Sequence, residues 1–224
     1  MKKIFFTLCL FTLSFVCHSQ ECDMFSPMKE GAVLEYTTYN DSKEILEKSV
    51  HKVSNIIKDG NITVAEIELT TFNKNGEEVY ATIYSAECNN GDFYIDMLRF
   101  FDQNKLAQHV NVDIEIEGDF LGFPKLMKTS TRLLDGSVTV IAGNNKPMTK
   151  SMKNRKLLGE EKLTVAAGTF ECYKMSYDFT SDFGTEKLHG TGITWYAKDI
   201  GVVRSESYDT TGKLIEYTGL MSYK

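Results

Sequence analysis

Short turn signals recur every 8 to 14 residues along the chain and separate runs that are rich in Val, Ile, Thr, Tyr and Phe. Asp59-Gly60 and Asn75-Gly76 are typical of hairpin turns, because Gly and Asn tolerate the positive φ angles that tight turns need. Within the runs, apolar and polar residues alternate, as Val112, Ile114 and Ile116 do with their polar neighbours. Period two places one set of side chains on a core face and the other in solvent. The pattern therefore predicts consecutive antiparallel strands.

The runs predict the positions of the strands. We expect them at 32–39, 44–57, 61–72, 77–88, 92–97, 109–117, 137–142, 148–158, 161–165, 169–180, 187–197, 201–209 and 213–223. Met97–Gln108 is the best helical candidate, since Leu98, Phe101 and Leu106 recur at helical spacing without Gly or Pro. Gly118–Leu134 fits neither period, and we interpret it as an apolar loop or short helical turn that covers part of the sheet. The prediction is one mainly β domain: a strongly curved antiparallel sheet with short helices or loops over its concave face.

The first 19 residues have the organisation of a secretory signal peptide. Lys2 and Lys3 form a positive start, Ile4–Val16 carries no charge, and Cys17–Ser19 precedes a predicted cut before Gln20. The uncharged segment is shorter than the roughly 20 apolar residues that a membrane span requires. We therefore divide the chain into a signal peptide, 1–19, and one domain, 20–224, and expect a periplasmic or secreted protein without a transmembrane segment in the mature chain.

A lipoprotein would instead be lipidated at Cys17. Such sites favour a small residue directly before the cysteine, and this chain has Val16 there. Simple export is therefore the preferred interpretation, with lipidation as the alternative.

Export also affects how the cysteines are interpreted, because disulfides persist in oxidising compartments. Cys22, Cys88 and Cys172 remain after removal of the signal peptide. We predict that Cys22 near the mature N-terminus pairs with Cys88 at a strand end. Cys172 lies among apolar strand residues and is expected to be a buried thiol.

Charge and motifs exclude several functional classes. The chain has 25 basic and 31 acidic residues, a net charge of −6, and no basic run, which disfavours nucleic acid as a partner. We find no spacing typical of zinc ligands, nucleophile elbows, phosphate loops or dinucleotide sites, and so predict neither a cofactor nor catalytic residues. Asp113, Glu115, Glu117 and Asp119 share one strand face and could bind calcium, although such a row is more often a solvated face.

Aromatic residues of the C-terminal strands suggest a binding surface. Tyr173, Met175 and Tyr177 fall on one face, while Gly190 and Gly192 leave a trough on a neighbouring strand. Either a ligand enters this trough or a packed side chain fills it, and the sequence leaves both open. The candidate ligand-binding residues are Phe120, Phe123, Tyr173, Met175, Tyr177, Gly190, Gly192 and Trp195.

Three segments resemble a family of secreted bacterial proteins labelled the TapB family. They are GEEKLTVAAGTFECYK at Gly159–Lys174, TWYAKDIGVVR at Thr194–Arg204 and FSPMKEG at Phe25–Gly31. The chain departs from the family at Ala166, where Pro is frequent, and at Asp199-Ile200, where Gly-Val is frequent. The resemblance implies a half-barrel similar to that of lipoprotein carriers (LolA-like), whose concave side binds lipid-like molecules. It implies no catalytic residues.

Two functions follow. The first is an exported, non-enzymatic protein that binds a lipid-like or other hydrophobic ligand in the concave face. The second is an envelope scaffold, with another envelope protein as its partner and a filled core.

Overall fold

The computed structural model describes residues 25–109 and 111–224. The predicted signal peptide, the lipidation alternative at Cys17, and Cys22 lie outside the described residues. The cleavage site and the Cys22–Cys88 pairing therefore remain predictions.

In this described part of the chain, thirteen strands form one antiparallel sheet, in the order β6-β8-β9-β10-β11-β12-β13-β1-β2-β3-β4-β5-β7. Their bounds are β1 Val33–Asn40, β2 Ile45–Asp59, β3 Ile62–Asn73, β4 Glu78–Asn89, β5 Asp92–Asp96, β6 Ile114–Gly118, β7 Phe120–Phe123, β8 Gly136–Ala142, β9 Met148–Val165, β10 Gly168–Asp182, β11 Lys187–Ala197, β12 Gly201–Tyr208 and β13 Leu214–Tyr223. The mainly β, curved antiparallel architecture predicted from the sequence is confirmed. The sheet curls further than a half-barrel and is nearly closed.

Two predicted strands, 148–158 and 161–165, form the single strand β9. Lys174 of β10 pairs with Gly159, and Met175 pairs with Leu157, so Leu158 is the extra residue of a β-bulge. A bulge bends a strand without ending it. The sequence signal at Gly159 therefore marks a change of curvature rather than a turn.

The barrel closes around Asp119, which joins the two edge strands β6 and β7. Its N–H donates to the Ser137 carbonyl at 2.8 Å, and its own carbonyl accepts from the Met97 N–H at 3.1 Å. Its carboxylate accepts from both the N–H and the hydroxyl of Ser137, each at 2.8 Å. Asp119 is therefore bonded on one side to β8 and on the other to the residue that follows β5. We call this junction the seam.

Aromatic side chains fill one end of the barrel. The Phe25 ring lies 5.0 Å from Phe123, 5.6 Å from Tyr173 and 5.8 Å from Tyr196, measured between ring centroids. Arg155, 3% exposed, lies over Phe123 and donates to the Leu134 carbonyl at 2.7 Å. The rings at this end are therefore packed directly against one another.

Two short helices lie towards the other end of the barrel. A 3-10 helix spans Met97–Phe100 and helix α1 spans Gln103–Ala107. The predicted single helix Met97–Gln108 is interrupted because Phe101 adopts an extended conformation and Asp102 caps α1. None of the helices in the described part of the chain has the length and apolarity to cross a membrane.

Gly118–Leu134, which was expected to be a cover, contributes β7 and then runs beside β9. Arg132 forms an isolated bridge with Lys156. The segment therefore forms one side of the seam, and the two short helices, rather than this segment, cover the concave face of the sheet.

Candidate functional site

The inner face of the sheet encloses a chamber of about 350 Å³ between the packed end and the two helices. It is lined by inward-facing residues of β1, β2 and β9 to β13, together with residues 99–104. The volume lies within the usual range for small-molecule sites.

Arg99 forms the floor of the chamber. Its Nη1 donates to the Nδ1 of His51 at 2.8 Å and to the hydroxyl of Tyr84 at 3.0 Å. Its guanidinium carbon lies 5.4 Å from the ring centroid of Tyr36, within cation–π range. Among the described residues, no carboxylate lies within 4 Å of this guanidinium. A permanent positive charge therefore faces the chamber with only neutral partners.

His51 is neutral, and its tautomer follows from its contacts. Burial and the Arg99 charge hold the pKa of His51 well below its ordinary value. An arginine can only donate, so the Nδ1 that faces it carries the lone pair. The proton is thereby assigned to Nε2, which lies 3.3 Å from the hydroxyl of Ser49.

The two floor tyrosines are also neutral. Burial raises the pKa of Tyr84 to about 12, and burial likewise raises the pKa of Tyr36. The Tyr36 hydroxyl donates to the carbonyl of Val202 at 2.9 Å, which anchors the floor to β12.

Further along β2 from His51, the chamber lining carries the mouth cluster, which consists of Glu47, Asp102, Lys150 and Glu216. Burial, with the neighbouring Asp102 charge, raises the pKa of Glu47 to about 7, and burial also raises the pKa of Glu216. Burial lowers the pKa of Lys150. Asn104 donates its side-chain N–H to Glu47 at 2.6 Å. Three carboxyl groups therefore lie near one ammonium group in a partly desolvated place.

The walls between these two ends are mixed in character. Hydroxyl groups face the space from several strands, namely those of Thr38, Ser49, Ser181, Thr194, Ser205, Ser207 and Thr218. Leu46 and Leu188 also line the space and are exposed, and so contribute apolar surface to its rim. Such walls suit a ligand with polar groups better than a bare acyl chain.

Of the candidate residues from the sequence, Tyr177 lines the chamber. It pairs directly with Gly192, and a Cβ at position 192 would lie 2.1 Å from its Cζ. Gly190 pairs with Phe179, and a Cβ there would lie 1.9 Å from the Tyr208 carbonyl oxygen. Packed groups therefore fill the predicted trough.

The other candidates lie away from the chamber. Phe123, Tyr173 and Met175 belong to the main core, and Phe120 is 41% exposed on an edge strand. Trp195 is on the opposite face of the sheet from Tyr196, in a small cluster with Cys172.

Cys172 is a free, buried cysteine, as expected from its apolar neighbours. Burial raises the pKa of its thiol to about 11. This thiol therefore lacks the thiolate character of a reactive cysteine.

Sequence reasoning missed Arg99, His51 and Glu47. One signal was available for two of them, because Glu47, Ser49 and His51 form a polar row at period two on a long strand. Arg99 gave no signal of its own, since only the fold places its helix over the inner face.

Solved structures share this fold. A protein of Bacteroides fragilis, described as exported and as having a YmcC-like fold, has a TM-score of 0.82 and 24% identity over 91% of this chain and all of its own. A protein of Parabacteroides distasonis, described as a lipoprotein, has a TM-score of 0.80 and 24% identity over the same shares. No curated protein matches the chain. The model of the DUF3108-like family matches residues 29–220, which is most of the chain, and the chain therefore belongs to the DUF3108-like family.

Proposed function

We propose that this protein is an exported ligand-binding protein that holds a small molecule in the barrel chamber. The observation that carries the proposal is Arg99, a guanidinium that faces the chamber without a carboxylate partner among the described residues. A desolvated charge is costly unless it is paired. A ligand with an anionic group would supply the missing partner.

The floor geometry favours binding over catalysis. Ser49 and His51 lie within hydrogen-bond distance, as a nucleophile and its base do in hydrolases. The base nitrogen must carry a lone pair towards the hydroxyl. Here the Arg99 N–H occupies Nδ1, and the proton on Nε2 faces Ser49. His51 therefore positions Arg99 and does not activate Ser49.

Export is supported by the charged and apolar pattern of residues 1–19 and by the descriptions of the two similar structures as an exported protein and a lipoprotein. A periplasmic or secreted location follows. The resemblance to the TapB family and to lipoprotein carriers is more specific than membership of the DUF3108-like family, and it remains a prediction. The resemblance to lipoprotein carriers implies that the concave face of the sheet is the place for a ligand.

The second candidate function, an envelope scaffold with another envelope protein as its partner, is favoured by the packing of Tyr177 over Gly192. That contact removes the trough from the binding surface. It leaves the chamber beside Arg99 open, and we therefore prefer the ligand-binding proposal.

Thermal denaturation and native mass spectrometry with chemically distinct probes test the proposal. The probes are trialanine, laurate and a lysophospholipid. A probe at one hundred times its Kd should raise Tm by about 5 to 10 °C. Arg99→Met should abolish that shift. Arg204→Met is the matched control, because Arg204 lies over Tyr217 and outside the chamber lining, and it should keep the shift. Absence of a shift with every probe would favour the scaffold.

A further inference from the structure

We infer that the ligand of this chamber is a zwitterion of about tripeptide length, with its anionic group on Arg99 and its ammonium group at the mouth cluster. This inference rests on the proposed function and adds the chemical class of the ligand. It follows from the arrangement of charge, the distance between the two ends and the character of the walls.

The charge arrangement has two poles of opposite sign. At the floor, Arg99 is positive, and its nearest polar partners, His51 and Tyr84, are neutral. At the mouth cluster, Glu47, Asp102 and Glu216 provide three carboxyl groups against the single ammonium of Lys150. A ligand that carries only an anion would be attracted by the floor and repelled by the mouth. A ligand with both charges satisfies both poles.

The separation of the poles follows from β2. Glu47, Ser49 and His51 line the chamber from consecutive inward positions of this strand. Four residues of extended chain place Glu47 about 13 Å from His51. The Arg99 guanidinium is hydrogen-bonded to that histidine. An extended tripeptide spans about 10 Å, which is comparable with this separation.

The walls suit peptide-like polar groups. Ser205 and Thr218 line the chamber from β12 and β13, and Ser49 lines it from β2 between Glu47 and His51. Hydroxyl groups can donate to or accept from the amides of a bound peptide. Leu46 and Leu188 at the rim offer apolar contact to small side chains. An acyl chain in the same place would offer no hydrogen bond to the hydroxyl groups.

The raised pKa of Glu47 agrees with a role for the mouth cluster in binding a cationic group. Burial and the adjacent Asp102 charge raise the pKa of Glu47 to about 7, so this carboxyl group is only partly charged at neutral pH. A bound ammonium group would favour the charged form. Trialanine should therefore release protons when it binds near pH 7, and calorimetry in buffers of different ionisation enthalpy measures that release.

Ligand chemistry tests the inference without altering the protein. Calorimetric titration compares trialanine with trialanine amide, which lacks the anion, and with N-acetyltrialanine, which lacks the cation. Each removes one charge-assisted contact, and we expect each to weaken Kd by at least about tenfold. Equal affinity of all three compounds would overturn the inference.

Variants then assign each charge to its pole. Arg99→Met should weaken trialanine binding and abolish the difference between trialanine and its amide, because the anion no longer has a partner. Glu47→Gln with Glu216→Gln should abolish the difference between trialanine and N-acetyltrialanine and keep the sensitivity to amidation. Arg99→Lys retains the charge and should retain part of the affinity. Sensitivity to amidation that persists in Arg99→Met would contradict the assignment.

Different binding results would contradict this inference and the proposed function. If laurate or the lysophospholipid binds and requires Arg99 while trialanine does not bind, the chamber is a ligand site for another class. If none of these compounds binds, the proposed function itself fails.

Discussion

The ring of Tyr177 occupies the space that a side chain at Gly192 would need. The two residues are directly paired between β10 and β11, and an added Cβ would lie 2.1 Å from Tyr177 Cζ. Glycine is therefore required at position 192 by its cross-strand partner, and the ring is held against the sheet.

Replacing Gly192 with Val should destabilise the fold by about 1 to 3 kcal/mol, because Tyr177 must leave its position. Urea denaturation measures the loss. Gly219→Ala is the control, since an added Cβ there meets no atom within 4 Å. Adding Tyr177→Ala to Gly192→Val should make the combined loss smaller than the sum of the two single losses. A Gly192→Val protein as stable as Gly219→Ala would show that the ring moves freely.

Arg155→Met should destabilise the fold by about 2 kcal/mol. The guanidinium donates to the carbonyl of Leu134 at 2.7 Å and to that of Gly122 at 3.4 Å, and so joins β9 to the other side of the seam. Lys153→Met on the same strand is the control, because Lys153 is exposed. Equal free energies of unfolding for the two variants would contradict the role of Arg155.

Glu47 should make the protein less stable as the pH rises from about 5 to 8. Burial raises the pKa of Glu47 from its ordinary value of 4.5 to about 7, so the folded state binds its proton more tightly than the unfolded state. The resulting stabilisation is complete below about pH 4.5 and is lost as the pH rises through 7, on the order of 2 kcal/mol.

Glu47→Gln removes this titration, and Gln retains an oxygen that can accept from Asn104. The variant should therefore gain stability relative to wild type between pH 5 and pH 8, measured by urea denaturation at both values. Glu216 and Lys150 remain in both proteins, so their contribution is common to the comparison. A stability difference that does not change with pH would contradict the raised pKa.

Trp195 should be insensitive to a ligand in the chamber, because it lies on the opposite face of the sheet beside Cys172. Cys172 should likewise resist alkylation at pH 8 in the folded protein, since burial raises its thiol pKa to about 11. Urea should make this thiol react rapidly. Saturable ligand-dependent changes in Trp195 emission, or fast alkylation without urea, would show that the cluster opens.

The exported protein should begin at Gln20, without lipid on Cys17, and should contain a Cys22–Cys88 disulfide. Such a bridge closes a loop of about 67 residues, for which chain entropy suggests a stabilisation of about 4 kcal/mol. Intact mass determines the first residue and any lipid, and non-reducing peptide mapping identifies the bridge. A diacylated species starting at Cys17 or a Cys88–Cys172 peptide would refute these expectations.

Strand positions were predictable because local signals determine them. Gly60 and Gly76 have positive φ angles in the observed turns, as their dipeptides indicate. β7 was missed, since the four residues Phe120–Phe123 show no alternation and are followed by Pro124. The site was missed for another reason. Arg99 becomes a floor residue only when its helix meets β2 and β4, and these contacts are distant in sequence.

The seam is also the place where the two edges of the sheet separate most easily. Elsewhere, neighbouring strands share a ladder of backbone hydrogen bonds, whereas the two edges meet through the backbone of Asp119, the side chain of Arg155 and backbone bonds between residues 130–133 and β9. Separating them breaks a few bonds and leaves every strand pair intact. Local opening of the barrel wall should therefore begin at the seam, whereas the strands that line the chamber, β1, β2 and β9 to β13, keep their ladders.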